Sequence, residues 1–314
     1  MRRRVSRVSA FAILGATLCG CVRFEDGLQA YQGGDYDAAY RSWSTLAKFG
    51  DPKAENFLGV MYDRGLAVKE SDAEAVRWFE RAASKGYPPA MNNLGLMLRE
   101  GSGIKRDSVQ AVDWFRLAAA KGYLDAINNL AVMTDLGVGT PENDAEAARL
   151  FRRAAESGNA RAQNNLGLMY DRGTGVRSDP AEAERWFRKA AEQGDADAQN
   201  NLGALLDNGR GVKADADAAV HWFTKAALQG QDTAQINLGL LYRSGRGAPA
   251  DPVEAYKWFN LAAAQGNPRA ASLKEELGRA LTVAQLAEAQ ARASAFSSRR
   301  VSLKPGRSAA TSGS

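Results

Sequence analysis

The sequence has very few of the residues that build metal sites and disulfide frameworks. Among 314 residues there is one His and there are two Cys. A multi-histidine metal site and a disulfide-stapled fold are therefore excluded, and we expect neither a metal ion nor a cofactor. Proline is also scarce, with 9 residues against 31 glycines. Scarce proline beside abundant alanine favours helices, and abundant glycine indicates many helix ends.

Excess basic charge is missing from the body of the chain. The formal net charge is +5, but residues 21–296 hold 33 basic and 36 acidic side chains. The excess comes from two short ends without acidic residues, which hold Arg2, Arg3, Arg4, Arg7, Arg299, Arg300, Lys304 and Arg307. The sequence therefore offers no basic face for nucleic acid, and residues 297–314 are expected to be a disordered basic tail.

The first 20 residues have the form of a secretory signal. A cationic start precedes an apolar stretch from Val8 to Leu18, which is shorter than the about 20 apolar residues that span a bilayer comfortably. The stretch ends in Leu18-Cys19-Gly20-Cys21. This resembles the bacterial lipobox, and the resemblance implies cleavage before Cys21 with acylation of its thiol and its new amino group. An ordinary cleaved signal and an uncleaved anchor are the alternatives.

The lipobox resemblance also implies a place in the cell. More than one acyl chain gives a stable membrane anchor. Val22 rather than Asp follows the cysteine, which resembles an outer-membrane address. We expect a signal peptide at 1–20, an anchor linker at 21–26, and a lipid-anchored protein of the bacterial envelope, in the outer membrane and facing the periplasm.

A repeat of 36 residues dominates the rest of the chain. An aromatic pair returns at Trp78-Phe79, Trp114-Phe115, Leu150-Phe151, Trp186-Phe187, Trp222-Phe223 and Trp258-Phe259. A second signature returns at Leu58-Gly59, Leu94-Gly95, Leu130-Ala131, Leu166-Gly167, Leu202-Gly203 and Leu238-Gly239. Several positions that return in register over six units indicate a repeat architecture. The aromatic pairs are expected in the core, and His221 is expected at the surface.

Each unit contains two helical patterns. The first resembles residues 162–170 and stops at Gly173, while the second resembles residues 180–192 and begins with Asp179 as its N-cap. Because one helical pair cannot bury both of its faces, such units stack on one another. The sequence predicts an all-α fold, a right-handed α-solenoid of about seven helix-turn-helix repeats over residues 27–275. A capping helix is expected at 276–296.

The repeat resembles the Sel1-like repeat family, a longer-looped relative of the tetratricopeptide repeat. The motifs are Ala-x-x-Asn-Leu-Gly-x-x-Tyr, then Gly-x-Gly-Val, then Asp-x-x-x-Ala-x-x-Trp-Phe-x-x-Ala-Ala-x-x-Gly, and residues 160–194 show nearly all of them. Local departures are Leu150 for Trp, Ala131 for Gly and Ala67 for Gly. Relatives often carry cysteines that link the two helices. These repeats have none, so packing alone must hold them.

A polar series precedes the Leu-Gly signature in successive units. Its members are Asn92, Asn93, Asn128, Asn129, Asn164, Asn165, Asn200, Asn201 and Asn237. In tetratricopeptide relatives the corresponding positions face the concave groove and bind a peptide backbone or a terminal carboxylate, so the resemblance implies a peptide-binding groove. The alternative is that one Asn of each pair, or both, bonds a neighbouring helix. Acidic residues of the same helices predict a local preference for basic ligand residues: Asp63, Asp135, Asp171 and Asp207.

We therefore expect a non-enzymatic, envelope-anchored scaffold that binds a protein or peptide partner in its groove. A periplasmic regulator that restrains a membrane sensor is a special case of this function. The alternative is a cell-wall enzyme of the penicillin-recognising or β-lactamase type, as suggested for some cysteine-rich relatives. Ser102 and Lys105 have the Ser-x-x-Lys spacing of such enzymes. The Ser-Asp-Asn and Lys-Thr-Gly elements are absent, and the pair falls in a predicted turn.

Overall fold

The computed structural model describes residues 22–303. Regular structure within this range is helical, and no strand occurs between residues 22 and 303. The all-α helical-repeat fold expected from the sequence is thus confirmed. The chain divides into two units, one that ends at Glu142 and one that begins at Asn143. The predicted signal peptide at 1–20, the predicted lipidation site Cys21 and residues 304–314 of the predicted tail lie outside the described residues.

The first unit contributes seven helices to the described range. They are α1 (Phe24–Gln32), α2 (Tyr36–Lys48), α3 (Pro52–Arg64), α4 (Asp72–Ser84), α5 (Pro88–Glu100), α6 (Ser108–Ala120) and α7 (Leu124–Asp135). Each helix from α1 to α6 packs against the next helix along the chain. The first repeat of the regular series is the pair α3 and α4, and the pair α1 and α2 precedes it.

The second unit contributes nine helices to the described range. They are α8 (Asp144–Glu156), α9 (Ala160–Arg172), α10 (Pro180–Glu192), α11 (Ala196–Asn208), α12 (Ala216–Gln229), α13 (Asp232–Ser244), α14 (Pro252–Ala263), α15 (Pro268–Gly278) and α16 (Val283–Leu303). Consecutive helices pack together from α8 to α15, and α16 packs against α14. In each repeat the odd-numbered helix is the first helix and the even-numbered helix is the second.

The helix ends are set by the residues that the sequence pattern indicated. Oδ1 of Asp179 accepts hydrogen bonds from the backbone N–H groups of Ala181 and Glu182, each at 3.1 Å, which supplies the N-cap of α10. Gly173 closes α9 in a left-handed conformation with a φ of 76°. The sequence Asp179-Pro180-Ala181-Glu182 also predicts that the Glu182 side chain bonds back to the start of its helix, and this bond is not formed. The Glu182 carboxylate pairs instead with Arg185 at 3.0 Å.

The core of each repeat is built on its phenylalanine. Six phenylalanines are at most 3% exposed: Phe79, Phe115, Phe151, Phe187, Phe223 and Phe259. Within a repeat the ring lies against the glycine of the Leu-Gly signature, where a Cβ atom would approach it within 2.5–2.8 Å. Glycine at this position therefore lets the first and second helices come close. The Ala pairs that follow each Phe are buried as well, except that Ala263 of the last pair is half-buried.

The tryptophan series is mostly core, as expected. Trp43, Trp186, Trp222 and Trp258 are buried, while Trp78 and Trp114 are half-buried. Leu150, which replaces one Trp, is also buried. His221 is exposed, which confirms the expectation for that side chain. The apolar contacts that these residues make between layers are the main stabilising term of a stacked repeat.

The C-terminal end departs from the repeat pattern in its packing. The predicted boundary between repeats and capping helix, at residues 275 and 276, falls inside α15, and the helix that covers the end is α16. Ala289 and Ala293 of α16 are buried, and the ring of Phe296 meets Trp258 of α14 edge-on at 5.5 Å. The sequence placed the end of this helix at residue 296, whereas α16 continues into the predicted tail as far as Leu303.

Candidate functional site

The paired asparagines occupy two different environments. The first member of each pair is buried: Asn92 and Asn128 are 5% exposed, Asn164 is 7% and Asn200 is 8% exposed. The second members are half-buried, and they are Asn93, Asn129, Asn165, Asn201 and Asn237. Neighbouring helical positions differ by about 100° around the axis, so one side chain of each pair points toward the next helix while the other borders the surface.

Hydrogen bonds connect these asparagines from repeat to repeat. In the first unit, Nδ2 of Asn93 donates to Oδ1 of Asn56 at 3.0 Å, and Nδ2 of Asn129 donates to Oδ1 of Asn92 at 2.8 Å. In the second unit, Asn201 donates to Asn164 at 2.9 Å in the same way. Asn237 likewise donates to Asn200 at 3.1 Å. The second Asn of one repeat is therefore tied to the first Asn of the preceding repeat.

This arrangement changes what the asparagines can do. The buried first members have a carboxamide oxygen that already accepts a bond from the neighbouring repeat, as Asn164 and Asn200 show. Their burial fits the structural alternative and does not fit the peptide-binding role that the sequence assigned to them. The half-buried second members keep part of their surface. In the second unit, Asn201 and Asn237 therefore remain the candidate peptide-binding asparagines.

A second polar series is buried between helices, and the sequence analysis missed it. Nε2 of Gln163 donates to the backbone oxygen of Ala155 at 3.0 Å, and Oε1 of Gln163 accepts from Gln193 at 2.7 Å. The same arrangement returns in the next two repeats, at Gln199 with Gln229 and at Gln235 with Gln265. The repeat interval between Gln163, Gln199 and Gln235 is the signal that would have found it.

In the first unit an ion pair takes the place of the glutamines. Glu55 is completely buried, and its carboxylate accepts hydrogen bonds from Nζ of Lys85 at 2.7 Å. Nη2 of Arg81 lies 2.9 Å from the same carboxylate. Glu55 and Lys85 stand at the repeat positions of Gln163 and Gln193. Both series are structural, because the buried member of each pair, a Gln or Glu55, has its polar atoms bonded to neighbouring residues of the chain.

Two successive pockets open on the first-helix face of the second unit. One has a volume of about 80 Å³ and is lined by Leu168, Asp171, Phe187, Asn201, Ala204, Leu205, Asn208 and Arg210. The other has a volume of about 260 Å³ and is lined by Asp207, Asn237, Leu240, Leu241, Arg243, Ser244 and Arg246. Six positions of the two linings correspond at the repeat interval, while Leu168, Phe187 and Arg243 have no counterpart in the other lining. The surface formed by these two linings is called the first-helix surface below.

The acidic side chains of this surface are already paired. Arg210 donates to the carboxylate of Asp171 from the next repeat. Nη2 of Arg246 donates to both oxygens of Asp207, at 2.6 and 2.5 Å. The carboxylates are mostly covered, with side-chain exposures of 17% and 15%, while Arg210 and Arg246 remain 64% and 57% exposed. These two carboxylates are therefore neutralised by arginines of the chain and do not favour basic ligand residues, contrary to the preference predicted from the sequence.

The first-helix surface combines three kinds of group. Asn201 and Asn237 supply carboxamides, Leu168 and Leu240 supply half-buried apolar side chains, and exposed arginines cover the acids. Carboxamides can donate to and accept from a peptide backbone, and apolar pockets accept side chains. Sequence reasoning missed the arginines, although Arg210 and Arg246 each follow an Asp of the preceding repeat by 39 residues.

No metal cluster or membrane span accompanies this surface in the described chain. Between residues 22 and 303, no three His, Cys, Asp or Glu side chains are grouped so that they could hold a metal ion. No helix in that range has both the length and the apolar character to cross a membrane. Ser102 lies in the turn after α5 and Lys105 lies exposed beyond it, as the sequence indicates.

Comparison with known families agrees with the repeat. The Sel1 repeat model matches six contiguous segments, at residues 52–87, 88–123, 124–159, 160–195, 196–231 and 232–267. A solved Sel1 repeat protein from Oxalobacter formigenes is similar to the chain with 34% identity and a TM-score of 0.70. The match covers 77% of this chain and 97% of that protein. No curated protein matches the chain.

Other solved structures are similar at lower identity. A protective antigen of uropathogenic Escherichia coli is 27% identical, with a TM-score of 0.46 and coverage of 93% of this chain and 88% of that one. An immunity protein from Pseudomonas aeruginosa is 19% identical, with a TM-score of 0.50 and coverage of 68% and 81%. At that identity the second likeness concerns the fold alone.

Proposed function

The chain belongs to the Sel1 repeat family, and on that premise we propose that it is a non-enzymatic scaffold anchored in the bacterial envelope. Repeats of this family typically serve in protein interaction and are generally not catalytic. The partner is a protein that presents an extended peptide segment. The segment binds along the first-helix surface, between α9 and α13.

The repetition of the two pockets supports this site. Asn201 and Ala204 of one pocket return as Asn237 and Leu240 in the next. An extended peptide exposes the same backbone groups at regular intervals, and so fits a surface that repeats itself. Peptides that bind in this way gain affinity from the backbone bonds and specificity from side-chain pockets.

Charge gives the segment a second property. Arg210 and Arg246 are more than half exposed, whereas their Asp partners are mostly covered. Arg243 lines the larger pocket as well, but it is paired at 3.2 Å with Glu276, which is 70% exposed. The outward charge at Arg210 and Arg246 is basic, and a segment with apolar side chains and some acidic groups is complementary to it.

The anchor part of the proposal depends on Cys21. The Leu18-Cys19-Gly20-Cys21 segment and the short apolar stretch before it support lipid attachment, with the mature protein held at the outer membrane and facing the periplasm. Palmitate labelling of cells that express the wild type and Cys21→Ala tests it. Label that still enters the Cys21→Ala protein contradicts a lipid on this residue.

The partner site is tested by placing a photo-crosslinking residue at Ala204 in living cells. Leu168 and Leu240 occupy the same position in the adjacent repeats, so a larger side chain fits there. The expected product is a covalent complex with one protein partner, identified by mass spectrometry. The matched control is the same residue at Ala181, which is exposed on the second helix α10, and this control should not trap the partner.

Two outcomes count against the proposal. If Ala181 traps the same partner as Ala204, or if Ala204 traps none while the protein remains folded by circular dichroism, the first-helix surface is not the binding site. Covalent labelling by a fluorescent penicillin that is lost in Ser102→Ala would instead support the alternative enzyme. The two measurements distinguish a misplaced site from a wrong class of function.

A further inference from the structure

The second helix α6 exposes large apolar side chains on one side. Val109 is 59% and Leu117 is 50% exposed, and they stand about two turns apart. Trp114 lies between them and is half-buried. Leu136, which is 62% exposed, begins a turn whose Gly139 lies against the backbone of Ser108 at the start of α6. A cluster of exposed apolar residues on a folded protein marks an interaction surface.

Helix α14 carries the same three residue types at the same repeat positions, but there they are covered. Val253, Trp258 and Leu261 are only 7%, 3% and 8% exposed. The difference is α16, which packs on α14. Ala289 joins the cluster that contains Val253, and Ala293 joins the cluster that contains Trp258 and Leu261. The chain thus contains one example of how a helix occupies this face.

Other repeats close this face in a different way. The position of Leu117 is basic in the second helices α4, α8, α10 and α12, where it is Arg81, Arg153, Lys189 and Lys225. Three of these cations lie over the tryptophan of their own helix: Arg81 is 4.5 Å from the Trp78 ring, Lys189 4.5 Å from Trp186 and Lys225 4.6 Å from Trp222. A long charged side chain covers apolar surface while its head stays in water. In α6 this position is Leu117, so no charged side chain from it covers Trp114.

Of the two acidic residues of α14 that contact α16, one has an acidic counterpart on α6, while the counterpart of Glu254 is the neutral Gln110. Arg292 of α16 lies 3.4 Å from the carboxylate of Asp251, the N-cap residue of α14, and 3.1 Å from Glu254. The N-cap residue of α6 is Asp107. A hydrogen bond from the backbone N–H of Gln110 lowers the pKa of Asp107, so this carboxylate is ionised at neutral pH. A helix that places a basic residue as α16 does would meet an anion here.

We propose that Val109, Trp114 and Leu117 form a second docking site, the α6 seat, for an amphipathic helix of a partner protein. The helix has the residue pattern of α16: two small residues four apart, a basic residue before the second of them, and an aromatic residue three positions after it. In α16 these are Ala289, Arg292, Ala293 and Phe296. The α16 helix of the chain is held on α14, so the occupant comes from another molecule. This site is separate from the first-helix surface.

A peptide with the sequence of residues 283–297 is the probe for the α6 seat. Labelled with fluorescein and titrated with the full chain in detergent, it should bind saturably by fluorescence anisotropy. Leu117→Arg should weaken this binding by about ten-fold or more, because it puts charge at the centre of an apolar contact. The variant should fold, since Arg81 occupies this position over Trp78 in the preceding repeat.

The matched control is Leu228→Arg. Leu228 is also 50% exposed, but it belongs to α12 and is not part of the α6 seat, so this variant should bind the peptide as the wild type does. A peptide with the change corresponding to Ala293→Glu should bind at least about ten-fold more weakly, because a larger charged side chain cannot approach Trp114.

Three results would overturn the proposal. The first is no saturable binding up to about 1 mM peptide. The second is binding that survives Leu117→Arg, which would place the peptide on α14 or elsewhere. The third is a concentration-dependent dimer of the full chain, seen by sedimentation, that Leu117→Arg abolishes. That result would assign the α6 seat to a second copy of this chain in place of a partner protein.

Discussion

A Cβ atom on Gly203 would lie 2.8 Å from Cδ1 of Phe223. Gly203 stands in the middle of the first helix α11, and Phe223 stands in the second helix α12 of the same repeat. The hydrogen atom at Gly203 therefore sets how closely the two helices approach. The same contact recurs at Gly59 with Phe79, Gly95 with Phe115, Gly167 with Phe187, and Gly239 with Phe259.

Gly203→Ala is expected to destabilise the protein in spite of the better helix propensity of alanine. The propensity gain is about 1 kcal/mol, whereas overpacking a filled core typically costs about 1–3 kcal/mol. We expect a net loss of about 1 kcal/mol in the free energy of unfolding, measured by urea denaturation. Gly33→Ala is the control, because Gly33 is exposed with a φ of −78°. Equal or greater stability of Gly203→Ala would show that the helices can move apart without cost.

The repeat made this contact predictable from sequence. Glycine and Phe return in fixed register, and a glycine in the middle of a helix, where it is a poor helix former, indicates a close approach. The environments of the paired asparagines were harder to predict, since periodicity places both residues on the first helix without fixing which one faces the next repeat. The burial of Asn164 beside Asn201 depends on the position of the neighbouring helix, which a helical pattern does not contain.

The packing of the C-terminal helix and the ion pairs of the arginines could not be predicted from sequence for a similar reason. Beyond Gly266 the repeat register decays, so the sequence predicts a helix near Phe296 but not that it packs on α14. Arg210 lies in a turn, and its pairing with Asp171 joins two repeats. Each repeat read alone shows an exposed Asp and an exposed Arg. Only the stacking of repeats brings the two charges together.

The ion pair of Glu55 and Lys85, in which Glu55 is buried and Lys85 is 38% exposed, should be replaceable by the glutamines that later repeats use. Lys85→Gln leaves the buried carboxylate with Arg81 as its remaining cation. Removing one partner of a fully buried ion pair costs about 3–5 kcal/mol, and the exposure of Lys85 together with the remaining Arg81 reduces this cost. We expect a loss of about 2 kcal/mol for this variant. Glu55→Gln together with Lys85→Gln should be more stable than Lys85→Gln alone, because two carboxamides bond as Gln163 and Gln193 do.

A double-mutant cycle measures that compensation by chemical denaturation. The two single variants and the double variant give a coupling free energy, and residues in contact typically couple by about 0.5–3 kcal/mol. A double variant less stable than both single variants would mean that the glutamine arrangement does not transfer to the first repeat. The interaction of Arg81 with the carboxylate at 2.9 Å would then be the dominant one.

Ala67 is the expected site for a stabilising substitution. It has a φ of 57° and is the sole residue other than glycine with positive φ in residues 22–303. Its counterparts in later repeats are Gly103, Gly139, Gly175, Gly211 and Gly247. The left-handed conformation costs a residue with a Cβ about 1–2 kcal/mol, part of which the greater freedom of unfolded glycine offsets.

Ala67→Gly should therefore raise the free energy of unfolding by about 0.5–1 kcal/mol. The control is Ala73→Gly, at an exposed position in the first turn of α4, which should lower it by less than the about 1 kcal/mol that glycine costs in a helix interior. Both values come from denaturant unfolding. A decrease in stability for Ala67→Gly would show that the methyl group of Ala67 makes a contact worth more than the backbone strain.

Trp186→Ala should weaken the second unit locally. The side chain is 4% exposed, and its indole nitrogen has no hydrogen-bond partner in the described part of the chain. Its contribution is therefore apolar packing together with the contact to Lys189, whose Nζ lies 4.5 Å from the ring. Truncating a buried Trp costs about 3–5 kcal/mol. Because repeat stability is a sum of local and neighbour terms, calorimetry should show broadened or biphasic unfolding. His221→Ala, at an exposed position, should melt as the wild type does. Unchanged melting of Trp186→Ala would show that this side chain is exposed and would favour a role in stacking against a ligand.

The double variant Asn164→Ala with Asn200→Ala should have a lower free energy of unfolding, because these two asparagines have a structural role and do not contact the partner. Each substitution removes the buried oxygen that Asn201 or Asn237 bonds. A hydrogen bond contributes about 0.5–1.5 kcal/mol, so we expect a loss of about 2 kcal/mol in the free energy of unfolding for the double variant.

Replacing the half-buried Asn201 with Ala leaves the oxygen of Asn164 buried without its donor, and should cost about 1–3 kcal/mol. Denaturant unfolding and crosslinking from Ala204 are measured on the same variants. If Asn164→Ala with Asn200→Ala keeps full stability but loses the crosslinked partner, the buried asparagines act in binding and their structural role is refuted.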